Sequence, residues 1–149
     1  MKTITGEWME VDVRYRKTME DGEEKAVTER YVVDAMSFTE GEASAIEEVK
    51  QYVSGDLKVK KMNPAAYREV MFSEDSEDEG WYKVRIAELD MQDNGKLKRI
   101  PVNYLVQAGT LQRAVNNVMA VMGNTMIDYV FVSVAETKIV DAFEHKKKD

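Results

Sequence analysis

Residues 8–16 read Trp-Met-Glu-Val-Asp-Val-Arg-Tyr-Arg, and their apolar and polar side chains alternate as in a β-strand. The turn Asp21-Gly22 follows, and residues 25–35 return as a segment rich in Val, Thr and Tyr. Asp-Gly favours a two-residue type I′ turn, because both central residues of that turn need positive φ. The stretch therefore predicts a β-hairpin in which Trp8 lies opposite Ala35.

The same pattern occurs again 73 residues later without a gap. Among the aligned pairs are Trp8/Trp81, Val11/Val84, Gly22/Gly95, Lys25/Lys98, Tyr31/Tyr104 and Ala35/Ala108. Asn94-Gly95 stands where Asp21-Gly22 stood, and it is also a type I′ dipeptide. The sequence thus predicts a second hairpin of the same construction.

A helix is predicted after each hairpin. Ser37 and Thr39 precede Glu40 and Glu42 at capping-box spacing, and Thr110 is the predicted cap in the second half. Each half then continues with an extended segment, 57–62 and 128–134, which we align at an offset of 71 residues. The short segments 64–72 and 135–143 could be strand or helical turn.

The predicted fold class is α+β, with two pseudo-symmetric ββαβ repeats sharing a mainly antiparallel sheet with two helices. We expect residues 1–149 to form a single domain whose repeats span about 7–72 and 80–143. Residues 73–80 are the predicted acidic linker, and residues 144–149 are a charged tail. One repeat alone would bury too little surface to be stable, whereas two can share a core.

Composition excludes several kinds of chemistry. The chain has no cysteine, and its one histidine, His145, lies near the end, so disulfides, thiolate chemistry and histidine clusters are excluded. A net charge of −7 argues against nucleic-acid binding. No apolar run has membrane-spanning length and no signal peptide is evident, so we expect a cytoplasmic protein without a membrane partner.

The acidic stretch at residues 73–80 contains five carboxylates but lacks the calcium-loop pattern. We interpret it as a solvated linker. Phosphate-binding loops, dinucleotide fingerprints, nucleophile elbows and zinc-protease motifs do not occur in the sequence. We therefore predict no catalytic residues, no metal, no cofactor and no enzymatic activity.

The two copies differ most in charge. The strand that begins at Trp8 continues with Glu10, Asp12 and Arg14 on one face, whereas the strand from Trp81 has Lys83 and Arg85 in the acidic positions. In one interpretation the two surfaces meet, within one chain or between chains, with aromatic side chains central and charge pairs at the rim. In the other, each Trp covers the end of a core and the charges face solvent.

Two amides, Asn103 and Gln107, lie on an otherwise apolar strand. Their counterparts in the first half are Arg30 and Asp34. Buried amides must be hydrogen-bonded, so these side chains either tie the structure together or line a pocket for a small polar ligand.

Residues 27–42, Val-Thr-Glu-Arg-Tyr-Val-Val-Asp-Ala-Met-Ser-Phe-Thr-Glu-Gly-Glu, resemble an uncharacterised family of gut-bacterial and phage genomes. The family is known as domain of unknown function four-four-nine-four. Further similarity at Trp81-Tyr-Lys-Val and at residues 105–108 and 136–143 extends the resemblance over nearly the whole chain. It implies a small intracellular protein of a phage, prophage or mobile element, and no catalytic residues.

We therefore expect a non-catalytic phage or mobile-element binding protein that occupies a host protein surface or sequesters a small polar ligand. The candidate ligand- or partner-binding residues are Trp8, Arg14, Arg30, Trp81, Lys83, Arg85, Asn103 and Gln107. One alternative is a structural homo-oligomer assembled through the Trp and charge faces. The other is a metal-dependent nucleotide-processing enzyme with carboxylate-bound Mg²⁺.

Overall fold

The computed structural model describes residues 1–145, so part of the predicted tail, residues 146–149, lies outside the described residues. The elements in chain order are β1 (Lys2–Ile4), β2 (Trp8–Thr18), β3 (Glu24–Asp34), α1 (Phe38–Val49), a 3₁₀ helix (Lys50–Tyr52), β4 (Leu57–Pro64), β5 (Tyr67–Phe72), β6 (Gly80–Met91), β7 (Leu97–Ala108), α2 (Leu111–Met122), β8 (Tyr129–Glu136) and β9 (Ile139–Phe143). The class is α+β, as the sequence predicts. No helix within residues 1–145 is long and apolar enough to cross a membrane.

The strands form two mixed sheets in two compact units. The five-stranded unit contains Met1–Thr5 and Ala66–Thr137, and its strand order is β1-β5-β7-β6-β8. The four-stranded unit contains Gly6–Ala65 and the chain from Lys138, and its order is β4-β2-β3-β9. The predicted single, shared sheet is therefore wrong. The arrangement of the repeats about a pseudo-twofold axis stays a prediction.

The short segments that the sequence assigns neither to strand nor to helical turn contain strands β5 and β9. Their pairing explains why two sheets form. Each hairpin has two free edges, and the strand after the helix fills one of them: β4 pairs with β2, and β8 pairs with β6. The second edge of each hairpin is filled by the closing strand of the other half, which is β5 for the first half and β9 for the second. Strand β9 pairs in parallel with β3, and β5 pairs in parallel with β7.

The predicted type I′ turns are wrong. Met19 N–H donates to Glu23 O, and Gly22 N–H donates to Met19 O. Gly22 has φ +83° and Gly95 has φ +80°, while no described residue other than glycine has positive φ. These features define a three-residue loop, a type I turn followed by a bulge glycine. Asp-Gly and Asn-Gly suit this loop as well, because it needs positive φ only at the glycine.

The extra loop residue moves the pairing register by one. Trp8 lies opposite Asp34, not Ala35, and Trp81 lies opposite Gln107, not Ala108. A one-residue slip moves each predicted partner to the other face of the sheet. The strands after the helices also align differently from our prediction. Val59 pairs with Val13, and Phe131 pairs with the equivalent Ile86, so the offset there is 72.

Each helix packs on one face of its own sheet and forms a core there. Ala45 and Val49 of α1 pack with Val11, Val13 and Val33. In the five-stranded unit, α2 contributes Ala114, Val118 and Met122 to the equivalent cluster. The hydroxyl of Ser37 accepts a hydrogen bond from Glu40 N–H, and that of Thr110 accepts one from Arg113 N–H, as the predicted caps require.

Candidate functional site

The eight predicted binding residues lie on the sheet faces opposite the helices. Their neighbours in sequence belong to the helix-covered clusters, and side chains alternate along a strand. The structure divides them between the units. Trp8, Arg14 and Arg30 are in the four-stranded unit, and Trp81, Lys83, Arg85, Asn103 and Gln107 are in the five-stranded unit.

Both tryptophans are buried. Trp8 is 2% exposed and Trp81 is 1% exposed. Within residues 1–145 the indole Nε1 of Trp8 has no hydrogen-bond acceptor. The ring of Trp81 meets Phe72 edge-on, with 5.5 Å between ring centroids. Neither indole is therefore open to solvent as an aromatic anchor for a partner.

The charged candidates make cross-strand pairs inside each unit. The guanidinium of Arg30 donates to both carboxylate oxygens of Asp12, at 2.8 and 3.3 Å, and lies 3.2 Å from Glu10. At the equivalent position of the other unit, Arg85 Nε donates to Asn103 Oδ1 at 3.1 Å. The same pair of opposed positions thus contains an arginine in both units, on β3 in the four-stranded unit and on β6 in the five-stranded unit. The other two charged candidates, Arg14 and Lys83, are exposed.

Gln107 ties the acidic stretch to the sheet, because its Oε1 accepts a hydrogen bond from Ser73 N–H at 2.9 Å. The interpretation of residues 73–80 as a solvated linker is wrong for Asp78, which is 3% exposed. Asp78 accepts hydrogen bonds from Gly109 N–H at 2.8 Å, from Ser73 Oγ at 2.6 Å and from Arg113 at 2.8 and 3.3 Å.

The same contacts determine the ionisation of Asp78. Hydrogen bonding to Arg113 lowers the pKa of this carboxyl well below its usual range. The bonds from Ser73 and Gly109 also lower the pKa, and together with Arg113 they outweigh the desolvation that would raise it. Asp78 is therefore a charged group that fixes the acidic stretch at the start of α2.

Sequence reasoning missed this cluster, although one signal for it exists. Arg113 stands in the first turn of α2, where the equivalent residue of α1 is Glu40. A cation is unfavourable near the positive end of a helix dipole. Its presence there indicates a nearby acidic partner, but nothing in the spacing identifies that partner as Asp78.

The equivalent place in the four-stranded unit is an open groove of about 930 Å³ beside α1. One wall is the exposed side of α1, and the other is the chain that follows β9. The lining residues are Ser37, Thr39, Glu40, Ala43, Ser44, Glu47, Glu48, Phe143, Glu144 and His145. Four carboxylates, three hydroxyls, one imidazole and two apolar side chains therefore face this space.

Two contacts orient the side chain of Glu40 at one end of the groove. Glu40 Oε1 lies 2.7 Å from His145 Nδ1, and Glu40 Oε2 accepts a hydrogen bond from Met36 N–H at 3.3 Å. Nearby, burial raises the pKa of Asp141, and repulsion by Glu48 adds to the increase, while the N–H of Ala142 opposes it. Four of the side chains that line the groove are acidic, and His145 is the one basic group among them.

The groove could not be predicted from local sequence. It exists because the parallel pairing of β9 with β3 brings residues 143–145 against α1, about a hundred residues away along the chain. Within residues 1–145, no three His, Asp or Glu side chains are grouped so that they could hold a metal ion. The arrangement can bind and orient a polar or cationic group.

Comparison with known proteins identifies a family but no characterised relative. The search of curated proteins and the search of solved structures each found no match. A family model described as Domain of unknown function (DUF4494) matches residues 7–145. The match covers nearly the whole chain and agrees with the resemblance found in the sequence, and the protein therefore belongs to this family.

Proposed function

We propose that the protein is a non-catalytic binding protein that holds a small organic cation in the acidic groove of the four-stranded unit. A ligand with primary ammonium groups on an aliphatic stem suits the site best. This proposal narrows the small polar ligand expected from the sequence to a cation. It also moves the site from the strand faces to the space between α1 and residues 143–145.

One contrast between the two units carries the proposal. In the five-stranded unit, the space at the start of α2 is occupied by the chain itself, since Asp78 bonds to Arg113 and to Gly109 N–H. In the four-stranded unit, Glu40 replaces Arg113, and the space beside it is open over residues 1–145. Over residues 1–145, the five-stranded unit thus fills this space with its own chain, whereas the four-stranded unit has an open groove with a glutamate in place of the arginine.

The size and lining of the groove support a small ligand. Its volume of about 930 Å³ lies within the usual range for small-molecule sites. Glu47 and Glu48 supply carboxylates on the helix wall, and Phe143 and Ala43 supply apolar surface for an aliphatic stem. Charge-assisted hydrogen bonds between ammonium groups and carboxylates are about twice as strong as neutral ones.

Calorimetric titration with spermidine tests the proposal, with 1,4-butanediol as the uncharged comparison ligand. We expect spermidine to bind and the diol not to bind. The double variant Glu47→Gln/Glu48→Gln should weaken spermidine binding about tenfold or more, which corresponds to roughly 1.4 kcal/mol. Binding should also weaken as salt is added, because exposed charges are screened.

The matched control is Glu42→Gln, which makes the same change on the same helix at an exposed residue that does not line the groove. We expect it to retain most of the wild-type affinity. The proposal fails if spermidine does not bind at about 10 mM, a concentration at which even a millimolar site would be filled. It also fails if the double variant binds as tightly as the Glu42→Gln protein.

The other functional expectations stay predictions. Action on a host protein and an origin in phages or mobile elements depend on the family resemblance, whereas a cytoplasmic location depends on sequence composition. Within residues 1–145, no group of acidic or histidine side chains is placed to hold the metal that nucleotide processing would need.

A further inference from the structure

The two sheets of the described chain end in four edge strands, and three of these are protected against pairing with another chain by short length, charge or proline. Edge strands expose a row of unpaired backbone groups, which short length, charge or proline protects. Strand β1 has three residues, and β9 has five, including Asp141. Strand β4 has three lysines and Pro64. Strand β8 is eight residues long, and its first seven, residues 129–135, carry no charge.

The contrast between β4 and β8 is informative because they occupy equivalent positions. Each is the edge strand beside the first strand of its hairpin, and each has a register shift at the same place. This irregularity is common to both strands, so it does not explain why β4 carries lysines and β8 does not. At the 72-residue offset, Lys58 corresponds to Val130, Lys60 to Val132 and Lys61 to Ser133. The lysines that protect this edge in one copy are therefore missing in the other.

The side chains at this edge are exposed apolar groups. Val130 is 38% exposed and Val132 is 50% exposed, and Ile127 just before the strand is also exposed. Solvent-exposed valines on a long, uncharged edge strand are the combination that favours addition of another strand.

We propose that β8 is the interface of a homodimer, in which it pairs antiparallel with β8 of a second copy and joins two five-stranded sheets. Two copies of β8 can pair without like charges facing each other, because residues 129–135 are uncharged. The strand therefore needs no oppositely charged partner. Such a contact is isologous and closes after two subunits. Pairing of β8 with β4 of another copy would set lysines against valines, and this heterologous contact could continue without closure.

The charges at the ends of β8 are compatible with self-pairing. A register with Val130 of one copy opposite Val132 of the other keeps Asp128 and Glu136 from facing each other. The net charge of −7 on each copy opposes association at long range. Dimerisation should therefore strengthen when salt screens this repulsion, which is opposite to the salt effect expected at the acidic groove.

Sedimentation and light scattering of the full chain, from about 1 to 200 μM, test the interface. We expect the wild type to reach twice the monomer mass and the Val130→Lys/Val132→Lys variant to remain monomeric, with an association constant at least tenfold lower. The variant should fold, since β4 already has lysines at both equivalent positions. The control Val140→Lys makes the same change at an exposed residue of edge strand β9, and it should remain dimeric.

Circular dichroism and hydrogen exchange complete the test. Matching spectra, with matching melting temperatures at a concentration where all three proteins are monomeric, would show that loss of the dimer does not come from unfolding. Amides of β8 should exchange more slowly as wild-type concentration rises. A wild type that stays monomeric at 200 μM in high salt, or a dimer that survives the two lysines, would overturn the proposal, as would fast β8 exchange in a dimer.

Discussion

The Asp78 cluster yields the sharpest prediction of stability, through the variant Asp78→Asn. The substitution keeps the shape of the side chain and removes its charge. The amide can still accept the hydrogen bond from Gly109 N–H, but its NH₂ group then faces the guanidinium of Arg113 or the hydroxyl of Ser73. One or two charge-assisted bonds to a buried group are lost, and an NH₂ donor is left facing the guanidinium donors of Arg113.

The magnitude follows from the burial of Asp78 and the exposure of its partner. A hydrogen bond to a charged group contributes about 1.5–3 kcal/mol, and breaking a fully buried ion pair costs about 3–5 kcal/mol. Asp78 is buried, but Arg113 is partly exposed and can be rehydrated, so the lower part of this range applies. We expect Asp78→Asn to lower the free energy of unfolding by about 2–3 kcal/mol at pH 7.

The pH dependence of this difference gives an independent check. The folded state lowers the pKa of Asp78, so its stabilising contribution is fully present above the ordinary aspartate pKa of about 3.9. That contribution is lost as the pH falls towards the folded-state pKa, by up to about 1.4 kcal/mol per pH unit. The difference between wild type and Asp78→Asn should therefore be constant from pH 7 to 5 and shrink below pH 4.

Urea denaturation followed by tryptophan fluorescence measures both effects. The matched control is Asp75→Asn, in the same acidic stretch, where the carboxylate is half-exposed and 3.5 Å from Arg113. An exposed pair of this kind contributes about 0–1 kcal/mol, so the control should be nearly neutral. The reasoning is refuted if the two variants lose the same stability, or if the Asp78→Asn difference does not change between pH 5 and pH 3.

Two further predictions concern a turn and a buried phenol. Gly95→Ala has open space for its new Cβ, but φ of +80° strains an alanine, so we expect the free energy of unfolding in urea to fall by about 1 kcal/mol. Gly95→Asn should lose less stability, and equal losses would contradict this reasoning. Burial, with repulsion by Glu29, raises the pKa of Tyr31 to about 12. Tyr31 therefore ionises at lower pH in the unfolded chain than in the folded one, so stability should fall as the pH rises from about 10 to 12. Tyr31→Phe should remove part of that fall, and an unchanged dependence of stability on pH would contradict the assignment.

The elements were predictable because they depend on local patterns. Alternation identified the hairpins, and Ser37 and Thr110 marked the helix starts. The register was not predictable, because Asp-Gly fits both a two-residue loop and a three-residue loop with a bulge glycine. That single residue decided which side chains share a face with Trp8.

The candidate groove and the Asp78 cluster depend on contacts between residues distant in sequence. Nothing near residues 143–145 indicates that they will lie against α1, since this follows from the parallel pairing of β9 with β3. The burial of Asp78 likewise depends on Arg113, 35 residues away. Composition correctly describes an acidic stretch, but it does not distinguish the one buried carboxylate, Asp78, from its exposed neighbours.

The exchange of closing strands has a consequence for folding during synthesis. Strand β3 is complete once residue 34 has been made, but its parallel partner β9 consists of residues 139–143. The ribosome must therefore produce more than a hundred further residues while the edge of β3 is open to other pairing. Closing so long a loop is slow and exposes the nascent chain to mispairing. A chaperone that shields β3 until translation reaches β9 should raise the yield of native protein.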